Sequence, residues 1–136
     1  MERDHMKETE KKLTKDVGDA GEARALAHLL RQGLTLVERN YRVAGGPQAR
    51  GGEIDLIFRD RDGTLVFVEV RTLRSAAFGG ASASVGAVKQ RRLVFAAQHF
   101  LRRFRTLPPC RFDVIALQGG GATEHIEWLQ GAFDAP

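Results

Sequence analysis

Small apolar residues recur three or four positions apart at Val17, Ala20, Ala23, Ala27 and Leu30, with Leu26 and Leu29 beside them. This spacing predicts an amphipathic helix from Asp16, and Gly33 is placed to cap its end. A short strand is expected at 34–39, running into Asn40-Tyr41-Arg42, and the glycines of 44–52 mark a loop. Residues 53–60 and 64–71 then alternate as two strands, one carrying Ile54, Leu56 and Phe58 opposite Glu53, Asp55 and Ile57. The other carries Val66, Val68 and Val70 opposite Leu65, Phe67, Glu69 and Arg71. Arg61-Asp62-Gly63 fits a three-residue hairpin loop with Gly63 in the left-handed position. A Gly/Ser-rich loop at 75–84 leads to a second helix with the stripe Val85, Val88, Leu93, Ala96, Phe100 and Phe104, ended near Pro108-Pro109. Strands at 111–117 and 124–129 flank a turn at 119–121. The expected order is α-β-β-β-α-β-β in one domain spanning 16–136, behind a charged tail at 1–15.

The hairpin carries the first chemical expectation. A three-residue loop between Asp60 and Thr64 sets Asp55 opposite Glu69 and Glu53 opposite Arg71. Opposed side chains stand roughly 4.5–5.5 Å apart at Cβ, where like charges destabilise a sheet. Two carboxylates there call for a compensating charge. A hard cation such as Mg2+, which takes oxygen ligands, supplies one; the competing reading is a structural cluster in which Arg71 pairs with Glu53 or Glu69.

Charge adds a second expectation. Residues 70–112 hold no Asp or Glu but nine basic residues, while thirteen of the seventeen acids precede residue 70. A one-signed segment of this length suits a polyanion, and Arg74, Lys89, Arg91, Arg92, Arg102 and Arg103 are the candidate nucleic-acid contacts; a solvated basic helix face is the plainer alternative. With 43% hydrophobic and 28% charged residues the profile is that of a globular domain, and no apolar run nears the roughly 18 residues of a membrane span. The N-terminus lacks the apolar stretch of a secretory signal, so a cytoplasmic protein without membrane partners is expected. The single cysteine, Cys110, excludes an intrachain disulfide and is expected to be a buried or edge thiol. The histidines lack ligand spacing.

Gly52-Glu53-Ile54-Asp55-Leu56-Ile57 followed by Phe67-Val68-Glu69-Val70-Arg71 resembles the PD-(D/E)xK nuclease superfamily, and within it the YraN-like bacterial family. The resemblance extends through Gly18, Gly21-Glu22, Asn40-Tyr41-Arg42, Phe78-Gly79, Lys89 and Arg111-Phe112-Asp113-Val114. It implies an α/β (α+β) fold with a restriction-endonuclease-like core, a mixed β-sheet flanked by helices. It also implies a catalytic set of Asp55, Glu69, Arg71, Glu22 and Lys89, with Mg2+ or Mn2+ held by Asp55, Glu69 and the main-chain carbonyl of Val70. The superfamily's third motif residue is usually Lys; here it is Arg71, which can clamp phosphate and stabilise charge but stays protonated. Lys89 is the candidate to replace the missing Lys. The implied activity is phosphodiester hydrolysis of nucleic acid, DNA ahead of RNA. Fold analogy adds branched DNA and a homodimer. The alternative is a catalytically impaired nucleic-acid-binding protein of the same fold, and a third reading is a subunit whose basic helix docks an acidic protein.

Overall fold

In the computed structural model, which describes residues 18–47, 50–73, 80–119 and 125–135, helix α1 covers 18–31. The expected tail at 1–15, Val17, Arg74, Phe78-Gly79 and Glu124 lie outside the described residues. The buried positions of α1 are Gly21, Ala25 and Leu29, four apart, whereas Ala20, Ala23 and Leu30 of the expected stripe are exposed. Alanines on several faces left the phase open, and close packing chose the narrow one. A Cβ at Gly21 would stand 3.1 Å from Thr72 Oγ1 and 3.4 Å from Leu117 Cδ1, so glycine lets α1 lie tightly on the sheet. The helix ends in a Schellman turn: Gly33, at φ 95°, donates to Leu30 O and Leu34 donates to Leu29 O.

Five strands follow: β1 (Thr35–Val43), β2 (Gly52–Arg59), β3 (Leu65–Leu73), β4 (Cys110–Gln118) and β5 (His125–Phe133). They lie side by side in chain order, all neighbours antiparallel except β3 and β4, which are parallel. Parallel neighbours need a crossover. It contains the one-turn helix α2 (Gly80–Ala83), within a stretch expected to be loop, and the long α3 (Ala87–Leu101). One apolar cluster joins α1 to Leu56, Phe58, Val66, Val68, Ile115 and Leu117 of the sheet. The other joins α3 to Ile57, Phe67, Phe112 and Val114. The result is the mixed sheet flanked by helices of a restriction-endonuclease-like core.

The hairpin keeps its expected register, from Arg59↔Leu65 to Leu56↔Val68, with Gly63 at φ 89°. The alternation of β2 does not persist to its start. Ile54 packs with Ile57 on the α3 side, while Leu56 and Phe58 pack on the α1 side. The step of three from Ile54 to Ile57 occurs without a slip of register, which is constant from Glu38↔Ile57 to Val43↔Gly52, the shift of this pair lying between Leu36 and Glu38. Across from Asp55, between Arg39↔Leu56 and Tyr41↔Ile54, Asn40 adopts a left-handed φ of 52°.

Helix α3 buries Leu93, Val94, Ala96, Ala97 and Phe100, but Val88 is 53% exposed, contrary to its place in the expected stripe. Val88 sits in the first turn, beside a cleft described below rather than in the core. Gly52 is where α3 meets the sheet: a Cβ there would lie 2.2 Å from Arg92 O and 3.0 Å from Ala96 N. Backbone cannot yield as a side-chain tip does. Gly52→Ala should therefore cost about 1–3 kcal/mol, the usual range for overpacking, read as a lower urea midpoint with unchanged m; an unchanged midpoint would show that α3 is not held against β2 as described.

Candidate functional site

The ladder between β2 and β3 ends at Leu56↔Val68, and Asp55 and Glu69 are the next residues outward. Asp55 does not continue the alternation. Its Oδ2 accepts a 2.8 Å hydrogen bond from the Val70 N–H, so the carboxylate lies in the gap that the ladder leaves open. A strand residue projects its N–H and C=O to the same side, so the Val70 carbonyl opens into the gap as well.

Glu69 is only 2% exposed and lies within hydrogen-bond reach of the Asp55 carboxyl. Burial, then the Asp55 charge, push its carboxyl up to about 8, with Lys89 pulling the other way. Among the described residues its Oε2 is buried with no hydrogen-bond donor. Glu69 Oε1 has Lys89 Nζ at 3.3 Å and Arg71 Nη1 at 3.9 Å.

Lys89 reaches the acids because the α3 backbone rests on Gly52, one turn further along. Its Nζ bridges Glu69 and Glu53, each at 3.3 Å. Glu53, expected opposite Arg71, instead faces Arg42 across the β1–β2 ladder at 3.7 Å and Lys89. The expected pairing fails because the β2–β3 ladder has already opened at that level.

Gly18, Asp19, Glu22, Asn40, Arg42, Glu53, Asp55 and Val70 to Thr72 line a cleft of about 430 Å³. Glu22 reaches it from α1, and burial, then the Asp55 charge, raise its carboxyl above the ordinary range. Asn40 hydrogen-bonds Glu22. Arg42 and Asn40 were missed as site residues, although the tolerance of Asn for left-handed backbone was a signal for a kink. The structure thus brings together Asp55, Glu69, Arg71, Glu22, Lys89 and Val70.

The basic contacts are less uniform. Arg91, Arg102 and Arg105 are exposed, and Arg92 donates to Gly51 O at 3.3 Å beside the site. Arg103 has partners of its own: it lies 3.8 Å from the Phe100 ring centre and 3.8 Å from Glu38. That acid comes from β1, so the absence of acids near Arg103 in sequence did not reveal it.

Asp113 is the other buried acid among the described residues, 1% exposed, and it belongs to a structural network. It accepts from Arg111 Nε, Trp128 Nε1 and Gly131 N, while Arg111 also binds Asp60 at 2.9 Å. This ties β4 to the hairpin and to β5. Cys110, expected as a buried or edge thiol, is an exposed residue at the first position of β4, and desolvation there raises its thiol, away from nucleophile character. No helix among the described residues is long and apolar enough to cross a membrane.

The sequence pattern of the uncharacterised protein family UPF0102 matches residues 21–117. A UPF0102 protein of Methylibium petroleiphilum is 68% identical over 122 residues, covering 90% of this chain and 97% of its own length. Another from Acidovorax sp. is 58% identical over 124 residues, covering 91% and 89%. A third from Paracidovorax citrulli is 58% identical over 125 residues, covering 92% and 87%. The family's span reaches from Glu22's turn of α1 through the hairpin and α3 to the end of β4, and so takes in the carboxylates, the lysine and the strands that hold them. The chain belongs to the uncharacterised protein family UPF0102.

Proposed function

We propose that this protein is a metal-dependent nuclease that hydrolyses phosphodiester bonds of nucleic acid in the cytoplasm, DNA in preference to RNA. One observation carries the reading: two carboxylates meet where the sheet parts, and the more buried one keeps an oxygen with no donor among the described residues. Such an atom costs stability unless a cation or proton meets it. Asp55, Glu69 and the Val70 carbonyl form an oxygen donor set suited to Mg2+ or Mn2+. No three acidic, histidine or cysteine side chains among the described residues enclose an ion by themselves, so water and substrate phosphate oxygens would complete the shell. When bound, the cation would polarise the phosphate and acidify a water.

The chain's own groups divide the remaining work. Arg71, 40% exposed at its side chain, can turn to the phosphate and stabilise charge developing there. Lys89 Nζ can hold or move a proton beside Glu69, which a guanidinium cannot do. Glu53, itself paired with Arg42, holds Lys89 in place from the other side. Glu22 adds negative charge next to Asp55.

The test is a panel of linear, flapped and four-way DNA and matching RNA with Mg2+ or Mn2+, alongside Mn2+ binding by calorimetry. Wild type should bind Mn2+ and cleave at least one DNA substrate; Asp55→Ala should do neither while keeping its circular-dichroism spectrum. Cleavage that survives Asp55→Ala or needs no metal defeats the reading. Metal and DNA binding without product would favour the binding-only alternative. Light scattering on the same samples reads whether the homodimer suggested by fold analogy forms.

A further inference from the structure

Arg71 stands in the wall of two clefts. One is the acidic cleft of Asp55 and Glu53. The other, of about 400 Å³, is lined by Arg71, Ser84, Lys89, Arg92 and the first turn of α3 at 86–88. Among the described residues no acid lines this second cleft, and three cations do.

Their charges are unevenly spent. Lys89 and Arg71 lean towards carboxylates of the acidic side. Arg92 makes one hydrogen bond, from Nε to Gly51 O, and no ion pair among the described residues, so its terminal nitrogens remain available to the cleft. The backbone adds to this field. Helix α3 starts at Gly86 with no side-chain cap and no acid in its first turn, and the first N–H groups of a helix have no partner within it. An acid at this helix start would be the usual stabilising choice; none stands in the first turn of α3.

We infer that this second cleft binds a phosphate group, that of the nucleotide adjoining the phosphodiester placed in the acidic cleft. The assignment of the neighbour rests on the nuclease reading above; the phosphate site itself rests on the cleft. Two clefts divided by a single side chain suit two successive phosphates of one strand, with Arg71 between them. The substrate class that follows is a polynucleotide strand carrying an internal phosphate beside the bond attacked, rather than an isolated phosphodiester.

The site can be tested on the whole, metal-free protein without turnover. Inorganic phosphate is titrated and followed by backbone amide NMR. The expected result is saturable shifts centred on Ser84 and Gly86 to Lys89. Arg92→Gln should weaken the titration about tenfold, the worth of one charge-assisted bond. Val88→Glu guards against misfolding, because Val88 is exposed and a carboxylate in the first helical turn favours the helix. It should fold at least as well as wild type and lose phosphate binding by a similar factor. With a single-stranded oligonucleotide lacking terminal phosphates, both variants should flatten the salt slope by about 0.7, one single-strand phosphate contact. Shifts centred elsewhere, phosphate binding unchanged in both folded variants, or a slope change confined to terminally phosphorylated strands would overturn the inference. Loss of Mn2+ binding or cleavage in Asp55→Ala bears on the neighbouring site and leaves this outcome independent, so the two readings can fail separately.

Discussion

Replacing Glu69 with Gln should make the metal-free protein more stable at alkaline pH and abolish its response to divalent cations. The Glu69 carboxyl is raised from 4.5 to about 8, first by burial and then by Asp55. Between those values the folded state holds a proton that the unfolded chain has released, so stability falls as pH rises through this window. The contribution is fully present below about pH 4.5 and lost above about pH 8. Glu69→Gln removes the titration. The variant should match wild type near pH 5 and exceed it near pH 9 by on the order of 1–3 kcal/mol, the cost of an uncompensated buried group. That gain corresponds to roughly 3–10 degrees in melting temperature. Saturating Mn2+ at about a hundred times its dissociation constant should stabilise wild type by roughly 2.7 kcal/mol and leave the variant unmoved. Melting curves from pH 5 to 9, with and without Mn2+, check both arms. A flat wild-type profile together with metal stabilisation of Glu69→Gln would exclude Glu69 as a ligand.

Lys89→Met should lower the rate of cleavage far more than Arg71→Lys does. Methionine keeps the apolar stem but removes the Nζ that lies 3.3 Å from both Glu53 and Glu69. If Nζ holds or moves a proton, its loss should cost roughly 10²–10⁴ in kcat, the usual scale of such a contribution. Arg71→Lys keeps a cation at a position 40% exposed and should leave the rate within about tenfold or raise it. Mn2+ calorimetry on Lys89→Met separates catalysis from assembly, since Asp55 and the Val70 carbonyl remain in place. Wild-type rates in Lys89→Met, with severe loss in Arg71→Lys, would return the role to the motif's own third position.

Much of this arrangement was legible from local pattern. The three-residue loop determined the hairpin register, because a tight turn leaves the strands no freedom to slide. That register put Asp55 and Glu69 side by side at the end of the ladder. The absence of acids through residues 70–112 also marked a basic flank before any contact was known.

Tertiary structure decided what depends on residues far apart in the chain. The face of α1 was settled by Gly21, whose missing Cβ admits Thr72 and Leu117, while alternating alanines carried little phase information. Ile54 joined Ile57 on the α3 side, across from the left-handed Asn40 of β1, a departure that alternation within one strand does not report. Arg103 met Glu38 from β1, and Glu53 met Lys89 from α3, although each pair is distant in sequence. Most of all, the place of Lys89 beside the acids followed from Gly52, where contact between α3 and β2 leaves no room for a side chain. Periodicity names the residues that face a core or a strand partner; the approach of two backbones decides which charges meet there.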